Sequence, residues 1–305
     1  MSPLSPNRST STGQPQGWLG RMKHFATTPI GASGRRGKMI VALLPDRLVI
    51  ARAEGRWSPR LTQYETIPAA PAPAGVPRWR PALEALAVKV KTGAVSAAEI
   101  TLVLSNHFVH YGLVPYNDVL GGEDEQLAFA RNRFATVYGS QTDAWVLRLS
   151  PAYSREARLA CGVETSLVTA IDDVLAPLGS AYCSLQPHLM ASFNRSRARI
   201  GKHATWFVVA EPGLLCIALF EGGQWKSIHS VKVGLDWAAE LSAVLAREEC
   251  LIDGEVECSK VLLFAADVSV PTFAASGKWQ IERLLPKQLP GMAGRPGEFS
   301  IAMGA

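Results

Sequence analysis

The sequence lacks the features that mark a secreted or membrane-spanning chain. No apolar run approaches the roughly 20 residues of a membrane-spanning helix, because the longest, 206–220, is interrupted by Glu211, Pro212 and Gly213. The N-terminus has no apolar core of the signal-peptide kind. The five cysteines are odd in number and share no CxxC spacing. We therefore expect a protein of the reducing cytosol, whose cysteines serve as small core residues.

The motifs of common catalytic and metal sites are also missing. The sequence holds no GxSxG, GxxxxGK[S/T] or GxGxxG, so it lacks a nucleophile elbow and the helix-based phosphate cradles. His107 and His110 have a metal-like spacing, but on a strand they would face opposite sides. The acidic runs 123–125 and 172–173 are typical of a helix start and a solvated helix face. We predict no metal site and no catalytic residue, and an acid/base site built from distant residues stays open.

Acidic residues are absent from the first 38 positions. The chain has a net charge of +5, and six basic residues lie in this region, so the remainder carries a net charge of −1. A nearly neutral body argues against nucleic-acid binding by the folded part. The six basic residues are Arg8, Arg21, Lys23, Arg35, Arg36 and Lys38.

Residues 1–37 are predicted to form a flexible basic tail, because Ser, Thr, Pro, Gly and Arg dominate them. Within the tail, Trp18, Met22 and Phe25 would share one face of a short helix. This pattern fits a weak anchor to an anionic membrane surface or a partner-binding peptide. The alternative is a linker with incidental aromatic residues, since one or two helical turns are marginal alone.

One stretch near the start of the chain is echoed near its middle. Residues 39–57 and 206–225 each read as a β-hairpin, with apolar runs on both sides of Pro45 or Pro212. The echo predicts two related subdomains, at 38–202 and 203–305. Strands precede helices in both, which favours an α/β fold with mixed sheets flanked by helices.

Hydrophobic periodicity places further elements after each hairpin. In the first half we predict strands at 61–67, 99–104, 108–115, 144–149 and 156–161, with helices at 79–91, 121–138, 164–178 and 187–199. In the second half we predict strands at 224–231, 260–265 and 279–284, with a helix at 235–249.

Two hairpins that each open a strand-rich half resemble the actin-like ATPase superfamily of actin, sugar kinases and Hsp70. A narrower likeness rests on LVLSNHFVHYGLVPY at 102–116, on the aromatic helix that ends at Gly139, and on LQPHLMASFN at 185–194. These segments look like PilM-type proteins and the cytoplasmic domain of GspL, which are actin-like components of type IV pilus and type II secretion assembly platforms. The resemblance implies a two-subdomain actin-like fold over about 38–305.

The resemblance also implies where a nucleotide would bind, and the residues there depart from the family pattern. Proline in each hairpin turn offers no backbone amide to a phosphate. A glutamate in the second turn repels phosphate unless a cation intervenes, and alanines replace a glycine pair at the adenosine. The positions are Pro45, Asp46 and Arg47 in the first turn, Glu211, Pro212 and Gly213 in the second, and Ala265 and Ala266 after the late strand.

These departures predict a non-catalytic scaffold with degenerate nucleotide loops and no cofactor. The resemblance implies a cytoplasmic protein, peripheral to the inner membrane, that binds a cytoplasmic segment of a membrane-anchored pilus or secretion protein. An active ATPase or small-molecule kinase that uses Mg-ATP is the alternative. An adaptor that works through the N-terminal tail is a third reading. The sequence does not locate the partner-binding surface.

Overall fold

In a computed structural model of the chain, the described residues are 37–55, 60–96, 99–151, 156–234, 236–252, 257–265 and 277–285. No helix within these ranges is long and apolar enough to cross a membrane. The predicted tail, with Trp18, Met22 and Phe25, lies outside the described residues, as does Ala266.

The first part of the chain alternates strands and helices, with short 3-10 turns between several of them. Its elements are β1 (Lys38–Leu43), β2 (Arg47–Glu54), β3 (Arg60–Pro68), α1 (Arg80–Lys91), β4 (Glu99–Leu104), β5 (His110–Val114), α2 (Glu123–Tyr138), β6 (Trp145–Leu149), β7 (Arg158–Glu164), α3 (Thr165–Leu175), β8 (Tyr182–Pro187) and α4 (His188–Ser196). The second part is shorter. Its elements are β9 (Thr205–Glu211), β10 (Leu214–Glu221), β11 (Gln224–Lys232), α5 (Trp237–Cys250), β12 (Lys260–Ala265) and β13 (Gln280–Leu284).

Two five-stranded sheets have the same topology. Their strand orders are β3-β2-β1-β4-β8 and β11-β10-β9-β12-β13. In each, an antiparallel hairpin with a third antiparallel strand is extended by two parallel strands. The strands of the second hairpin, β9 and β10, are apolar and nearly continuously buried, as strands covered on both faces are. The predicted α/β fold with mixed sheets, and the echo of the two hairpins, are confirmed.

A third, three-stranded antiparallel sheet is inserted between β4 and β8, in the order β5-β7-β6. Helix α2 covers one of its faces with Ala130 and Phe134. The His110 ring stacks on Trp145 with ring centroids 4.0 Å apart. On its other side, β5 lies against β11 of the second half.

The main hydrophobic core is shared by both halves. It contains Leu102 and Leu189 from the first half together with Phe207, Val209 and Phe264 from the second. A smaller core lies between the opposite face of the second sheet and α5. Because one core spans both halves, the subdomain limits 38–202 and 203–305 stay a prediction.

Several observed elements differ from the predicted ones; β7, for example, ends at Glu164, three residues beyond the predicted strand at 156–161. Strand β8 was not predicted, and Phe108 lies in a 3-10 turn (Asn106–Phe108), so β5 begins two residues later than expected. Helix α4 ends at Ser196, before a separate 3-10 turn, and is shorter than the predicted helix at 187–199.

Candidate functional site

The candidate site lies where the two halves meet, at the ends of strands β4 and β9. Strand β4 ends at Leu104, and Ser105 and Asn106 follow it directly. Strand β9 ends at Glu211, at the turn where the family resemblance places a phosphate loop. One strand of each five-stranded sheet, β4 and β9, therefore ends at this location.

The Glu211 carboxylate is buried there, and both of its oxygens accept hydrogen bonds from the first half. Its Oε1 accepts from the backbone N–H of Asn106 at 2.9 Å and from Nδ1 of His188 at 2.7 Å. Its Oε2 accepts from the Ser105 hydroxyl. Only 2% of Glu211 is exposed, and His188 and Ser105 are fully buried. The carboxylate is thus enclosed by the chain's own donors.

A second layer of hydrogen bonds holds these donors in place. The Asn106 side-chain Oδ1 accepts from the Tyr111 hydroxyl at 2.6 Å and from the backbone N–H of Leu189 at 3.0 Å. Burial raises the pKa of Tyr111 well above its ordinary value, which keeps this hydroxyl protonated. We call Ser105, Asn106, Tyr111, His188 and Glu211 the junction network.

Local structure explains why these side chains converge. The Ser105 N–H donates to the Leu43 carbonyl at 2.9 Å, so the segment stays fixed beside the first hairpin after β4 ends. Ser105 also caps the following 3-10 turn, because its Oγ accepts from the His107 N–H at 3.2 Å. Pro187 cannot continue the ladder of β8, and His188 opens α4 beside it.

The pKa of Glu211 reflects two opposing effects. Burial by itself raises the pKa, because it disfavours the charged form. The hydrogen bond and charge of His188, with the hydrogen bonds from Ser105 and Asn106, outweigh it, so the pKa lies below its ordinary value of 4.5. Glu211 is therefore ionised at neutral pH and accepts all three hydrogen bonds. His188 must then donate from Nδ1.

The first hairpin turn is arranged differently. Asp46 is exposed and its carboxylate pairs with Arg47 at 2.6 Å. The Asp46 carbonyl accepts from the Ala69 N–H at 2.8 Å, and the Leu44 N–H donates to the Arg47 carbonyl at 3.0 Å. The backbone of this turn is thus bound to neighbouring segments of the same half.

In the second turn, Pro212 and Gly213 are exposed, and Gly213 has a φ of 78°, which favours glycine. The Pro212 carbonyl accepts from His107 Nε2 at 3.0 Å, which adds a second bond between the halves. Ala265 is buried at the end of β12. Of the residues predicted for a nucleotide site, the structure therefore draws Glu211 and Pro212 into the junction and leaves Asp46 in solvent.

Sequence reasoning missed Ser105, Asn106, Tyr111 and His188. All four lie in the two segments that carry the family resemblance, 102–116 and 185–194. A polar Ser-Asn pair directly after a buried strand, and a histidine after proline at a helix start, were the available signals. Neither signal indicates a contact with Glu211, because Glu211 is 23 residues from His188 and 106 residues from Ser105 along the sequence.

The two histidines with metal-like spacing serve separate purposes. His107 bonds the second turn, whereas His110 packs in the aromatic cluster of the inserted sheet. Burial lowers the pKa of His110. Within the described ranges, no three His, Cys, Asp or Glu side chains are grouped to hold a metal ion.

No protein-family model matches the chain, and no curated protein matches its sequence. Solved structures do match. The cytoplasmic domain of EpsL, an inner membrane component of the type II secretion system of Vibrio cholerae, is 13% identical with a TM-score of 0.52 over 81% of this chain and 90% of that domain's chain. A Bacteroides thetaiotaomicron protein of unknown function with an actin-like ATPase fold is 9% identical with a TM-score of 0.47, over 78% and 86% of the two chains. This chain has the fold of the EpsL cytoplasmic domain.

A type IV pilus structure, the PilM–PilN biogenesis complex, is 16% identical with a TM-score of 0.46 over 71% of this chain and 69% of the matched one. The predicted similarity to a secretion-platform cytoplasmic domain is confirmed at the level of the fold by the EpsL match. A fold by itself does not distinguish a scaffold from an enzyme, and the site must do so.

Proposed function

We propose that this protein is a non-catalytic actin-like scaffold of a type IV pilus or type II secretion assembly platform. It works in the cytoplasm, peripheral to the inner membrane, and binds a cytoplasmic segment of a membrane-anchored partner. The observation that carries the proposal is the enclosed Glu211 carboxylate at the second hairpin turn.

The geometry of Glu211 supports the absence of nucleotide chemistry. An ionised carboxylate in this turn repels a phosphate group unless a cation lies between them. Both Glu211 oxygens already accept hydrogen bonds within the chain, so neither is presented to a magnesium ion. The Ser105 hydroxyl and the Asn106 amide bind the chain's own anion and are not offered to a phosphate.

The fold and the sequence support the assembly platform. The EpsL cytoplasmic domain belongs to an inner membrane component of a secretion system. The two segments that resemble PilM and GspL, 102–116 and 185–194, also supply the donors of the junction network. Residues that carry the resemblance therefore build the joint between the halves, as expected of a rigid scaffold.

Isothermal titration calorimetry with Mg-ATP and Mg-ADP tests the non-catalytic part of the proposal. We expect no binding by the full chain in the micromolar range. Micromolar binding that is abolished by Asp46→Ala or Gly213→Val would overturn it and support an ATPase or kinase. The matched control is Asp173→Ala, which removes an exposed carboxylate from helix α3, outside both turns.

Co-purification with defined partners tests the scaffold part. The full chain is expressed with each single-span inner-membrane protein of the host's pilus and secretion systems. The full chain is then purified by affinity from detergent extracts, and the proteins that remain bound to it are identified. We expect one of them to co-purify at a fixed ratio and to lose binding when its cytoplasmic segment is deleted. If every such protein fails to bind, the scaffold function is wrong.

A further inference from the structure

Strand β3 forms one edge of the first five-stranded sheet. In the described part of the chain it pairs with β2 alone, because the sheet ends with it. It spans nine residues, Arg60–Pro68, whereas a typical strand has about five or six. The main-chain groups on its outer side can therefore pair with a further strand.

Natural proteins protect such an edge with lysine, proline, inward-pointing charge or a bulge. Strand β3 contains no lysine, and its proline is the last residue, Pro68. A bulge lies at Thr62, where the register with β2 shifts. The charged residues of the strand are Arg60 at its first position and Glu65, which pairs with Lys89 of α1. The protection is thus concentrated at the two ends, and the middle of the strand can pair.

The sequence of β3 is symmetric in chemical type about Tyr64. Residues 61–67 read LTQYETI, so residues at equal distances from Tyr64 match: leucine with isoleucine, threonine with threonine, and glutamine with glutamate. When two copies of a strand pair antiparallel about a two-fold axis, residues at equal distances from the axis lie opposite each other. An axis at Tyr64 therefore places matched side chains opposite one another.

Each of these cross-strand pairs is favourable. Leucine opposite isoleucine and tyrosine opposite tyrosine bury apolar surface, and threonine pairs hydrogen-bond across a sheet. The Gln63 amide donates to the Glu65 carboxylate of the other copy. Neighbouring axes give poorer sets, because an axis at Glu65 opposes two carboxylates and an axis at Gln63 opposes Leu61 to Glu65. The side chains thus define one register.

We propose that two copies of this chain associate through β3, antiparallel about a two-fold axis at Tyr64. The first sheets of the two copies then form one ten-stranded sheet, with β3 next to β3 at its centre. Because the bulge at Thr62 increases the local twist, residues 63–65 form the regular part of the ladder and the outer pairs add side-chain contacts. A dimer of this kind is independent of the proposed scaffold function, because a monomer could serve as a scaffold equally well.

Analytical ultracentrifugation of the full chain tests the dimer. One strand pair gives a small interface, so we expect a reversible monomer–dimer equilibrium with a dissociation constant on the order of 10 µM. A protein that stays monomeric up to about 500 µM would overturn the proposal.

Two substitutions of Gln63 test the register with opposite expectations. Gln63→Glu opposes carboxylates in two symmetric pairs and should raise the dissociation constant about tenfold, whereas Gln63→Lys opposes Glu65 with an ammonium group and should lower it. Within one molecule Gln63 lies opposite Arg52 of β2, so Gln63→Glu adds an attractive pair there and is expected to fold. Gln280→Glu is the control, because Gln280 is exposed on β13, the edge strand of the second sheet. If Gln63→Glu changes the constant no more than Gln280→Glu does, the proposal is wrong.

Disulfide formation locates the two-fold axis. In a Cys250→Ser background, which removes an exposed cysteine, Tyr64→Cys should crosslink two copies on mild oxidation, because Cα atoms of opposed residues lie about 4.5–5.5 Å apart. Thr66→Cys is the matched control, since its two copies lie about 13 Å apart along the paired strands, too far for a disulfide. Equal yields of crosslinked dimer from the two variants would contradict the register. A chain that is monomeric alone but loses a co-purified partner on Gln63→Glu would show that the edge binds a partner's strand, and the dimer would be wrong.

Discussion

Glu211 shows how one buried charge can serve as an internal ligand. A lone carboxylate in a protein interior is costly unless it is hydrogen-bonded and paired. Here an N–H, a hydroxyl and an imidazole from the other half satisfy it. The contribution of Glu211 to stability therefore depends on donors that are distant in the sequence. Replacing Glu211 should weaken the contact between the two halves.

We expect Glu211→Gln to lower the free energy of unfolding at pH 7 by about 2–4 kcal/mol, since the donors lose a charged acceptor. The folded-state pKa of Glu211 lies below 4.5, so its contribution is complete above about pH 4.5 and declines as the pH falls through the folded value. The difference between the two proteins should shrink accordingly in urea titrations at decreasing pH.

Asp46→Asn is the control for this measurement. Asp46 is a turn carboxylate whose side chain is 60% exposed and pairs with Arg47, and exposed pairs contribute about 0–1 kcal/mol. A Glu211→Gln effect no larger than that of Asp46→Asn would show that the junction network does not stabilise the fold.

At the scale of elements, the inserted sheet depends on a glycine in its central strand. A Cβ on Gly162 of β7 would lie 2.9 Å from both Leu147 Cδ2 and Trp145 Cε3. Both neighbours are buried core side chains of β6 and have little room to move. The close packing of β7 under α2 therefore requires the absence of a side chain.

We expect Gly162→Ala to lower the free energy of unfolding by about 1–3 kcal/mol through overpacking. Gly201→Ala is the matched control, because no atom lies within 4 Å of a Cβ built there. Denaturant midpoints of the two variants give the comparison. Equal midpoints would mean that the inserted sheet adjusts freely around residue 162.

The elements that could be predicted from the sequence are those whose periodicity is local. Both hairpins, α2 and α5 follow from apolar spacing and turn residues near each element. Strand β8 does not, because its partner β4 lies about 80 residues earlier and pairing determines it. It also follows a kinked 3-10 segment in which Gly179 has a φ of 56°.

The candidate site could be predicted only in part, because it too combines local sequence signals with contacts between distant residues. The second turn could be located from the hairpin echo, and its glutamate and proline were recognised as unfavourable for phosphate. The donors that enclose Glu211 could not be found, since Ser105 and His188 come together with it only through the packing of two sheets.

At the scale of the whole molecule, the shared core predicts cooperative behaviour. Side chains of both five-stranded sheets pack in one cluster, with Leu102 and Phe207 among its fully buried members. Two halves that share a core cannot lose it independently. We expect thermal unfolding in a single transition, with coincident curves from circular dichroism and tryptophan fluorescence.

Leu102→Ala and Phe207→Ala should each shift that transition as a whole, because each leaves a cavity in the common core. Calorimetric and van't Hoff enthalpies should then agree. Two separate transitions, or a variant that moves one probe and not the other, would show that the halves unfold as separate domains.

Where a bound nucleotide holds two halves of a protein together, their contact depends on the fraction of molecules that have nucleotide bound. That fraction falls when the free nucleotide concentration falls. Glu211 is covalently part of the chain, so its hydrogen bonds to the other half do not depend on the concentration of a free ligand. These hydrogen bonds between the two halves therefore need no bound ligand. Under the proposed scaffold function, a partner would therefore meet the same surface in starved and growing cells.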